Sequence, residues 1–238
     1  MVRLRVSLLL TVVCSMVAAA TAHAQATDPV APAVPITKGV DLVGTNAYLW
    51  RGFVATDRFS VQPNLWLKYG VVTVSSWSNA ARPQGHGLLT EHDLTVDVTK
   101  AAGRFAVSAG WINYLFPTVD TGRYSNEFYA GVSHASFLNP SVRVYHDVQA
   151  GAGTYLNGAV SHEFTVGRLL VTPSAAVGYN RHQWIAESTW SDALMGLKVK
   201  LPSPSKRLTI APFLNYSRSL ARDLFPSRFS GGLGVSVQ

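Results

Sequence analysis

Three carboxylates in the stretch TEHDLTVDVTK, residues 90–100, have the type and spacing that could select ions. Glu91, Asp93 and Asp97 share one parity, so in a β-strand all three project from the same face. Apolar side chains dominate the opposite parity. A row of carboxylates along a passage attracts cations, whereas the same row facing basic side chains forms salt bridges. The function therefore depends on whether the carboxylate face borders a passage or packs against basic side chains.

Charged side chains on other predicted strands share the parity of these carboxylates. Glu127 extends the acidic wall across the small residues Ser108 and Gly110. Two interpretations stay open: the charges form a salt-bridged plug that fills a closed interior, or they line a narrow polar passage and set its ion preference. The basic residues that oppose the acidic wall are Lys68, Arg143, Lys198 and Lys200.

A serine and a histidine close together in sequence raise an alternative chemistry, the hydrolysis of lipid esters. Such a site needs a Ser nucleophile in contact with a His base, and a third polar group that orients the His. The candidates are Ser76 or Ser78 with His86 or His92. Proximity in sequence is the only support for this hypothesis, so we expect no enzymatic activity.

Metal and phosphate sites lack their usual sequence patterns. No two histidines stand at a tight ligand spacing with a carboxylate partner, and His92 projects away from the acids beside it. The Gly-rich QAGAG at 149–153 lacks the helix and the Lys of a phosphate loop. No loop matches an EF-hand. We therefore expect neither a metal nor a cofactor.

The first 24 residues have the features of a secretory signal peptide. Arg3 and Arg5 precede an apolar run at 6–20, and Ala-His-Ala at 22–24 provides a small-residue cleavage pattern. Cys14 is the only cysteine and lies within this segment. The mature chain is therefore expected to have no disulfide, no thiol nucleophile and no Cys-based metal site.

Composition limits the class of the mature protein. Removing Arg3 and Arg5 from the formal charge of +7 leaves +5, a mild excess that is no nucleic-acid signature. Charged residues make up 14% of the chain, which is low for a soluble domain. No later apolar run approaches the roughly 20 residues of a transmembrane helix, so entry into a membrane requires a closed barrel. Residues 25–37, with three prolines, are a predicted flexible segment, and residues 38–238 are the predicted barrel.

Alternating polarity predicts strands almost everywhere after residue 37. Tight connections, such as Tyr69-Gly70, alternate with longer ones, such as 51–58, which is typical of an antiparallel up-and-down barrel. We therefore predict an all-β, closed transmembrane barrel of about 12 strands, with both termini on the short-turn, periplasmic side. The predicted strands are 38–50, 59–69, 71–78, 88–99, 103–116, 125–136, 141–148, 154–164, 168–180, 190–200, 206–217 and 228–237.

A soluble β-sandwich gives the same alternation, and two features favour the barrel over it. The polar face is rich in Gly, Ser and Asn, as a crowded interior requires, instead of the Lys and Glu that coat soluble sheets. Aromatic residues also collect near predicted strand ends, as they do in the interfacial girdles of membrane barrels. The predicted girdle residues are Tyr48, Trp50, Tyr69, Trp77, Phe164, Tyr179, Trp190 and Tyr216.

The basic residues divide between the two predicted rims. All six lysines fall at the periplasmic ends of strands, whereas many arginines fall in or beside the outer loops. A guanidinium matches phosphate geometry better than an ammonium, so an Arg-rich rim suits the phosphorylated lipid of an outer leaflet. A chance distribution of exposed charges is the alternative. The predicted phosphate contacts are Arg51, Arg58, Arg82, Arg123, Arg181, Arg222 and Arg228.

Several stretches together resemble one family, the TorF-like porin group of bacterial outer-membrane β-barrel proteins. That group has a Tyr-x-x-Arg-Gly turn after its first strand, a Glu-x-Asp at the start of the fourth, and an Asn-Pro-Ser hairpin before a Tyr-x-Asp strand. The resemblance spans most of the mature chain and implies the barrel fold, but it supplies no catalytic residues. The similar stretches are YLWRGF at 48–53, TEHDLTVDV at 90–98, SNEFYAGVS at 125–133, NPSVRVYHDVQAGAGTYLNGAVSHEF at 139–164 and SDALMGLKV at 191–199.

The expected function is passive passage of small hydrophilic solutes or ions through an outer-membrane porin or narrow channel of a Gram-negative bacterium. Lipid hydrolysis, or a plugged barrel with a structural or surface-binding role, are the alternatives. The expected partners are outer-membrane lipid, lipopolysaccharide and the barrel assembly machinery, with no nucleic acid. That machinery usually reads a C-terminal aromatic residue, whereas this sequence ends in LGVSVQ, with Gln238 last.

Overall fold

The computed structural model describes residues 34–81 and 88–238. The expected signal peptide, most of the flexible segment, Arg82 and His86 lie outside the described residues. The folded unit runs from Pro35 to Gln238. No helix in the described residues is long and apolar enough to cross a membrane.

Fifteen β-strands account for most of the described residues, in this order: β1 (Ile36–Thr45), β2 (Tyr48–Trp50), β3 (Phe53–Thr56), β4 (Ser60–Tyr69), β5 (Val72–Ala81), β6 (Leu89–Ala102), β7 (Phe105–Leu115), β8 (Tyr124–His134), β9 (Ser141–Asp147), β10 (Gly153–Ser161), β11 (Phe164–Val166), β12 (Leu169–Arg181), β13 (Ser188–Lys200), β14 (Leu208–Ser219) and β15 (Arg228–Val237). Twelve of them form one continuous wall. β2 and β3 form a separate hairpin, and β11 is a short strand beside β12.

Two pairings close the wall into a barrel. β1 pairs with β4 on one side and with β15 on the other, so Asp41 lies between Asn64 and Ser236. β10 likewise pairs with both β9 and β12. Each of these pairs is antiparallel, and neighbours in the wall are neighbours in the chain apart from the hairpin and β11. The predicted closed antiparallel barrel of about 12 strands is confirmed.

The connections differ between the two ends of the barrel. At one end, which we call the short-turn end, tight turns place Gly70, Gly103 and Gly167 at φ angles of 59°, 61° and 61°. Glycine adopts these left-handed values without a steric cost. Most of the longer connections lie at the other end, which we call the loop end. β1 begins and β15 ends at the short-turn end, as the alternation of connections predicts.

The two faces of the wall follow the predicted alternation. Outward positions carry exposed apolar side chains such as Phe105 and Leu214, each 54% exposed. Inward positions on the same strands carry small polar side chains such as Ser108 and Ser217, which are buried. An apolar outer face of this extent is unfavourable in water and matches the hydrocarbon of a bilayer. The wall therefore has the polarity of a transmembrane barrel.

Some of the predicted girdle residues lie on the outer face. Tyr179 packs against Trp190 with ring centroids 5.3 Å apart, and Tyr216 packs against Phe229 at 4.4 Å. Trp190 and Phe229 are more than half exposed. Rings in this position suit the interface between hydrocarbon and headgroups.

The girdle prediction is wrong for Tyr48, Trp50 and Trp77, which face the lumen. β1 ends at Thr45 instead of residue 50, and the chain then turns into the barrel as the hairpin of β2 and β3. Trp77 faces inward because it is the cross-strand partner of Asp93, on the polar face of the wall. Residues 47–50 are all apolar or aromatic and the chain is extended again from Tyr48, so the sequence still predicts a strand where the wall strand has ended.

Glycines in the wall allow aromatic rings to lie flat against the lumen surface. A Cβ atom added at Gly110 would collide with the ring of Tyr129, and one at Gly178 would collide with Tyr155. A larger side chain at either position displaces the ring above it. These glycines of the polar face therefore have a packing role in addition to their small size.

Gly178→Val is expected to lower the free energy of unfolding by about 1–3 kcal/mol, because Tyr155 must leave its place on the wall. Gly158→Val is the matched control: Gly158 is the cross-strand neighbour of Val177 on the outward parity, and an added Cβ there has no heavy atom within 4 Å. Urea unfolding of the refolded protein, followed by tryptophan fluorescence, measures both variants. Equal losses of stability would contradict the packing role.

Candidate functional site in the barrel lumen

A hairpin from the first loop folds into the lumen and defines the candidate site. β2 and β3 pair with Arg51 and Gly52 as the two turn residues. Their φ angles of 51° and 89° are the left-handed values of a type I′ turn. Glycine suits position 52 because of this positive φ, and a Cβ atom there would also be crowded, at 3.2 Å from both Phe225 and Ser191. We call residues 48–56 the lumen hairpin.

One ion pair anchors the tip of the lumen hairpin. Arg51 donates hydrogen bonds of 2.6 and 2.7 Å to the two carboxylate oxygens of Glu127. Tyr114 donates to the same carboxylate over 2.9 Å and Gln183 over 2.6 Å. The side chain of Arg51 is 8% exposed and that of Glu127 is 0% exposed. A buried, bidentate and fully hydrogen-bonded pair holds its partners in one geometry.

Aromatic rings surround the Arg51 guanidinium. Its central carbon lies 4.0 Å from the ring centroid of Tyr145, 4.6 Å from that of Trp50 and 4.9 Å from that of Tyr155. These separations are typical of cation–π contacts. Burial lowers the pKa of Arg51, but the hydrogen bond and the charge of Glu127 outweigh burial and raise that pKa above its ordinary value. Arg51 is therefore a fixed positive charge in the lumen.

Further ring contacts attach the lumen hairpin to the wall and to a loop. Tyr48 in β2 packs on Trp77 in β5 with ring centroids 5.3 Å apart. Phe53 in β3 meets Phe225 edge to face at 4.9 Å, and Phe225 is 1% exposed. Ring contacts therefore fix both strands of the hairpin to their surroundings, and the ion pair fixes its tip.

Glu91 and Asp93, from the predicted acidic wall, lie beside this hairpin. Tyr48 donates a hydrogen bond to Glu91 over 3.5 Å. Burial raises the pKa of Tyr48, and the charges of Glu91 and Asp93 raise it further, so Tyr48 stays a neutral donor. Asp93 lies between its cross-strand partners Trp77 and Tyr114. Its Oδ1 atom is buried, with no hydrogen-bond partner in the described part of the chain.

Asp97 and Arg143 face the lumen nearer the short-turn end. Asp97 accepts hydrogen bonds of 2.6 Å from Tyr129 and from Thr99. Arg143 stacks on the same Tyr129, 5.0 Å from its ring centroid, and donates to Tyr145 over 3.4 Å. Tyr129 therefore links an acid of β6 with a base of β9.

The predicted lumen lysines lie toward the short-turn end of the barrel, away from the lumen hairpin. Lys198 and Lys200 are exposed on β13, and Lys68 is exposed on β4. β13 is six strands away from β6 in either direction around the wall. The strand that carries Asp93 and Asp97 therefore lies opposite a strand that carries two lysines.

Cavities lie on both sides of the lumen hairpin. A cavity of about 380 Å³ on the loop side is lined partly by Glu91. A cavity of about 390 Å³ on the short-turn side is lined partly by Arg51 and Asp93, and we call it the hairpin cavity. A third cavity, of about 240 Å³, contains Arg143 and shares Tyr145 with the hairpin cavity. Trp50 lines both the loop-side cavity and the hairpin cavity, so the three cavities follow one another along the lumen past the hairpin.

The structure corrects the prediction for Arg51 as a phosphate contact of the outer rim. Its guanidinium lies inside the barrel on Glu127, because the type I′ turn carries it away from the surface. Arg228 forms an ion pair with Asp57 at the loop end. Phosphate contact by the other arginines stays a prediction. Those exposed at the loop end are Arg58, Arg123, Arg181 and Arg222.

The structure brings together one Ser–His pair of the alternative hydrolase hypothesis. The Ser78 hydroxyl lies 2.9 Å from Nδ1 of His92. Both residues face outward, because they alternate with the inward Trp77 and Asp93. For metals, no three His, Cys, Asp or Glu side chains of residues 34–81 and 88–238 come together as a possible site.

No sequence pattern predicts that the lumen hairpin meets Glu127, Tyr114 and Gln183 inside the barrel. Gln183 lies in a loop between strands, where no periodic pattern indicates that it faces the barrel interior. One signal was present: each of the five stretches that resemble the TorF-like group contributes a side chain to the anchor or to the hairpin cavity. Those side chains are Arg51, Asp93, Glu127, Tyr145 and Asp192.

Arg51→Met leaves Glu127 buried without its counter-ion, so we expect the free energy of unfolding to fall by about 3–5 kcal/mol. The double variant Arg51→Met/Glu127→Gln is expected to lose less than Arg51→Met alone, because no uncompensated charge stays buried. A double-mutant cycle by urea unfolding, completed with Glu127→Gln, gives the coupling free energy. Strictly additive losses would show that the pair does not anchor the hairpin.

Comparison with known proteins gives structural matches. No protein-family model and no curated protein matches the sequence. The structure of the NanC porin matches with a TM-score of 0.55 and 13% identity, over 84% of this chain and 99% of that chain. An outer membrane channel from Pseudomonas putida F1 matches with a TM-score of 0.52 and 9% identity, over 90% of this chain and 99% of that chain. At such identities the likeness shows a shared barrel fold.

Proposed function

We propose that this chain is an outer-membrane channel for small hydrophilic solutes or ions, with the lumen hairpin as its constriction. The observation that carries the proposal is the series of adjoining cavities past a hairpin held inside a barrel with an apolar outer wall. Barrels of about eight strands are filled by their own side chains, whereas those of roughly 16–18 strands leave an aqueous channel. Twelve strands narrowed by one hairpin suit a narrow passage.

The proposal includes a location and partners. The location is the outer membrane of a Gram-negative bacterium, after removal of a signal peptide at 1–24. The fold shared with the NanC porin and with the Pseudomonas putida channel supports this location. Membership of the TorF-like group, insertion by the barrel assembly machinery and contact of the exposed arginines with lipopolysaccharide are further parts of the proposal.

The lumen charges give the channel an ion preference. Arg51 and Glu127 balance each other, so the anchor contributes little net charge. Asp93 lines the hairpin cavity at the level of the hairpin. It is then the acid without a charged partner that a solute meets as it passes this level. Lys198 and Lys200 face β6 from the opposite strand, nearer the short-turn end. Acids at the narrow level favour cations there, and the lysines moderate this preference at the wider mouth.

In a planar bilayer under a KCl gradient, the refolded protein is expected to give steady openings with a preference for cations. Asp93→Asn/Asp97→Asn is expected to weaken that preference, because it removes two lumen carboxylates and keeps their volume. The reversal potential is the measurement. Glu163→Gln is the control, since Glu163 lies in an exposed turn at the short-turn end.

A silent bilayer would contradict the channel, provided that the same sample is folded. Folding is checked by the change in gel mobility between unheated and heated protein in detergent. A folded but silent barrel would favour a plugged lumen and a structural or surface-binding role.

Lipid ester hydrolysis is a second candidate, favoured by the contact between Ser78 and His92 on the lipid-facing wall. His92 can take the hydroxyl proton of Ser78 as the oxygen attacks an ester carbonyl. The same hydrogen bond also satisfies two polar groups in apolar surroundings, which is the simpler explanation.

We expect the protein to release no fatty acid from phospholipid in mixed micelles beyond a protein-free blank. Ser78→Ala is compared with Ser76→Ala, which removes a hydroxyl from the same face of the same strand. Release that disappears in Ser78→Ala and persists in Ser76→Ala would replace the channel with a hydrolase.

A further inference from the structure

Aromatic rings line the hairpin cavity on both sides of Asp93. Trp77 and Tyr114 are its cross-strand partners, and the ring of Tyr48 packs at a tilt against Trp77. Cross-strand partners have Cβ atoms about 4.5–5.5 Å apart, so the carboxylate stands between two rings. All four residues line the cavity. The faces of such rings carry partial negative charge and attract cations.

The charges around the hairpin cavity do not cancel. Arg51 is balanced by Glu127, which binds it through both oxygens. Asp192, which also lines the cavity, accepts hydrogen bonds of 2.9 and 3.3 Å from two serine hydroxyls, and these donors are neutral. Within residues 34–81 and 88–238, neither Asp93 nor Asp192 forms an ion pair. Asp93 and Asp192 are therefore the acids of this cavity that have no charged partner in the described residues, and of the two only Asp93 has an oxygen without a hydrogen bond.

Asp93 also has unused hydrogen-bonding capacity. Its Oδ1 atom is buried and has no partner in the described residues. Buried polar atoms are nearly always hydrogen-bonded, so an exception beside a cavity marks the place of a donor. A donor that carries positive charge forms the stronger hydrogen bond with a carboxylate.

The protein already holds one organic cation against the rings of this cavity. Tyr145 and Tyr155 line the cavity and lie 4.0 and 4.9 Å from the central carbon of Arg51. They show that rings at this level of the lumen accept a cation at cation–π distance. Trp77, which is partly exposed, offers the same kind of surface next to Asp93, and the buried ring of Tyr114 borders Asp93 on the other side.

We propose that the hairpin cavity binds small organic cations, with Asp93 accepting a hydrogen bond from an ammonium group and with Trp77 and Tyr114 on either side of it. The proposal rests on the proposed channel and names the solutes that this channel favours. A solute with a carboxylate in the same place meets Asp93 and Asp192, which repel it. The volume of about 390 Å³ lies in the range of small-molecule sites, roughly 300–1,000 Å³.

Butylammonium, butyrate and butanol test this proposal because they share a four-carbon chain and differ in charge. Isothermal titration calorimetry on the folded protein in detergent measures binding. Current through a planar bilayer measures block of the channel. We expect butylammonium to bind and to interrupt the K⁺ current, and butyrate and butanol to do neither.

Two variants separate the carboxylate from the rings. Asp93→Asn is expected to lower the affinity for butylammonium by about tenfold or more. Trp77→Leu removes one ring and keeps Asp93, and it is expected to lower the affinity for butylammonium by about fivefold. This variant still tests the site if Asp93→Asn fails to fold. Asp97→Asn is the matched control, because Asp97 lies on the same face of the same strand but accepts a hydrogen bond from Tyr129. The affinity of this variant for butylammonium is expected to stay within about twofold of that of the unmodified protein.

The two readouts distinguish failure of the site from failure of the channel. K⁺ current without binding of butylammonium overturns the proposed site and leaves the channel in place. Binding to a folded protein that passes no current supports the site and overturns the channel. Equal binding of butyrate, or unchanged affinity in both Asp93→Asn and Trp77→Leu, overturns the proposed site.

Discussion

The buried pair of Arg51 and Glu127 is the interaction on which the lumen depends. Moving two charges out of water is unfavourable, and the pair is stable because Tyr114 and Gln183 complete the hydrogen bonding of the carboxylate. These donors come from β7 and from the loop before β13, while Arg51 comes from the lumen hairpin. One carboxylate on β8 thus joins parts of the chain that are distant in sequence. Its position fixes the level at which the tip of the lumen hairpin lies in the barrel.

The same pair decides which acids of the lumen have a charged partner. Glu127 belongs to the predicted acidic wall by parity, yet its charge is balanced and its oxygens are fully used. Asp93, two strands away, has neither a counter-ion nor a complete set of hydrogen bonds in the described residues. Carboxylates that alternation places on one face therefore differ in function. The difference comes from their partners and not from their spacing.

Alternation predicts the wall well because a barrel strand has one lipid face and one lumen face along its whole length. It predicts the inward position of Asp93 and the outward position of His92 for that reason. It fails after Thr45, where residues 48–50 form a strand that has left the wall. The position of Arg51 in the long connection at 51–58 predicts a residue of the outer rim, because loops usually run over the surface. The buried position of Arg51 is favourable because of Glu127, which is distant in the sequence. No local sequence pattern indicates a contact between residues so far apart in the chain.

Barrel width explains why a hairpin is needed at all. The polar face of the wall consists largely of small residues, and glycines such as Gly110 and Gly178 let Tyr129 and Tyr155 lie flat against it. A wall of this kind leaves space that its own side chains cannot fill at twelve strands. The lumen hairpin occupies that space near the loop end with its backbone hydrogen bonds paired within itself. The hairpin cavity is therefore lined partly by an element separate from the wall, so its width and charge can change while the lipid-facing wall stays the same.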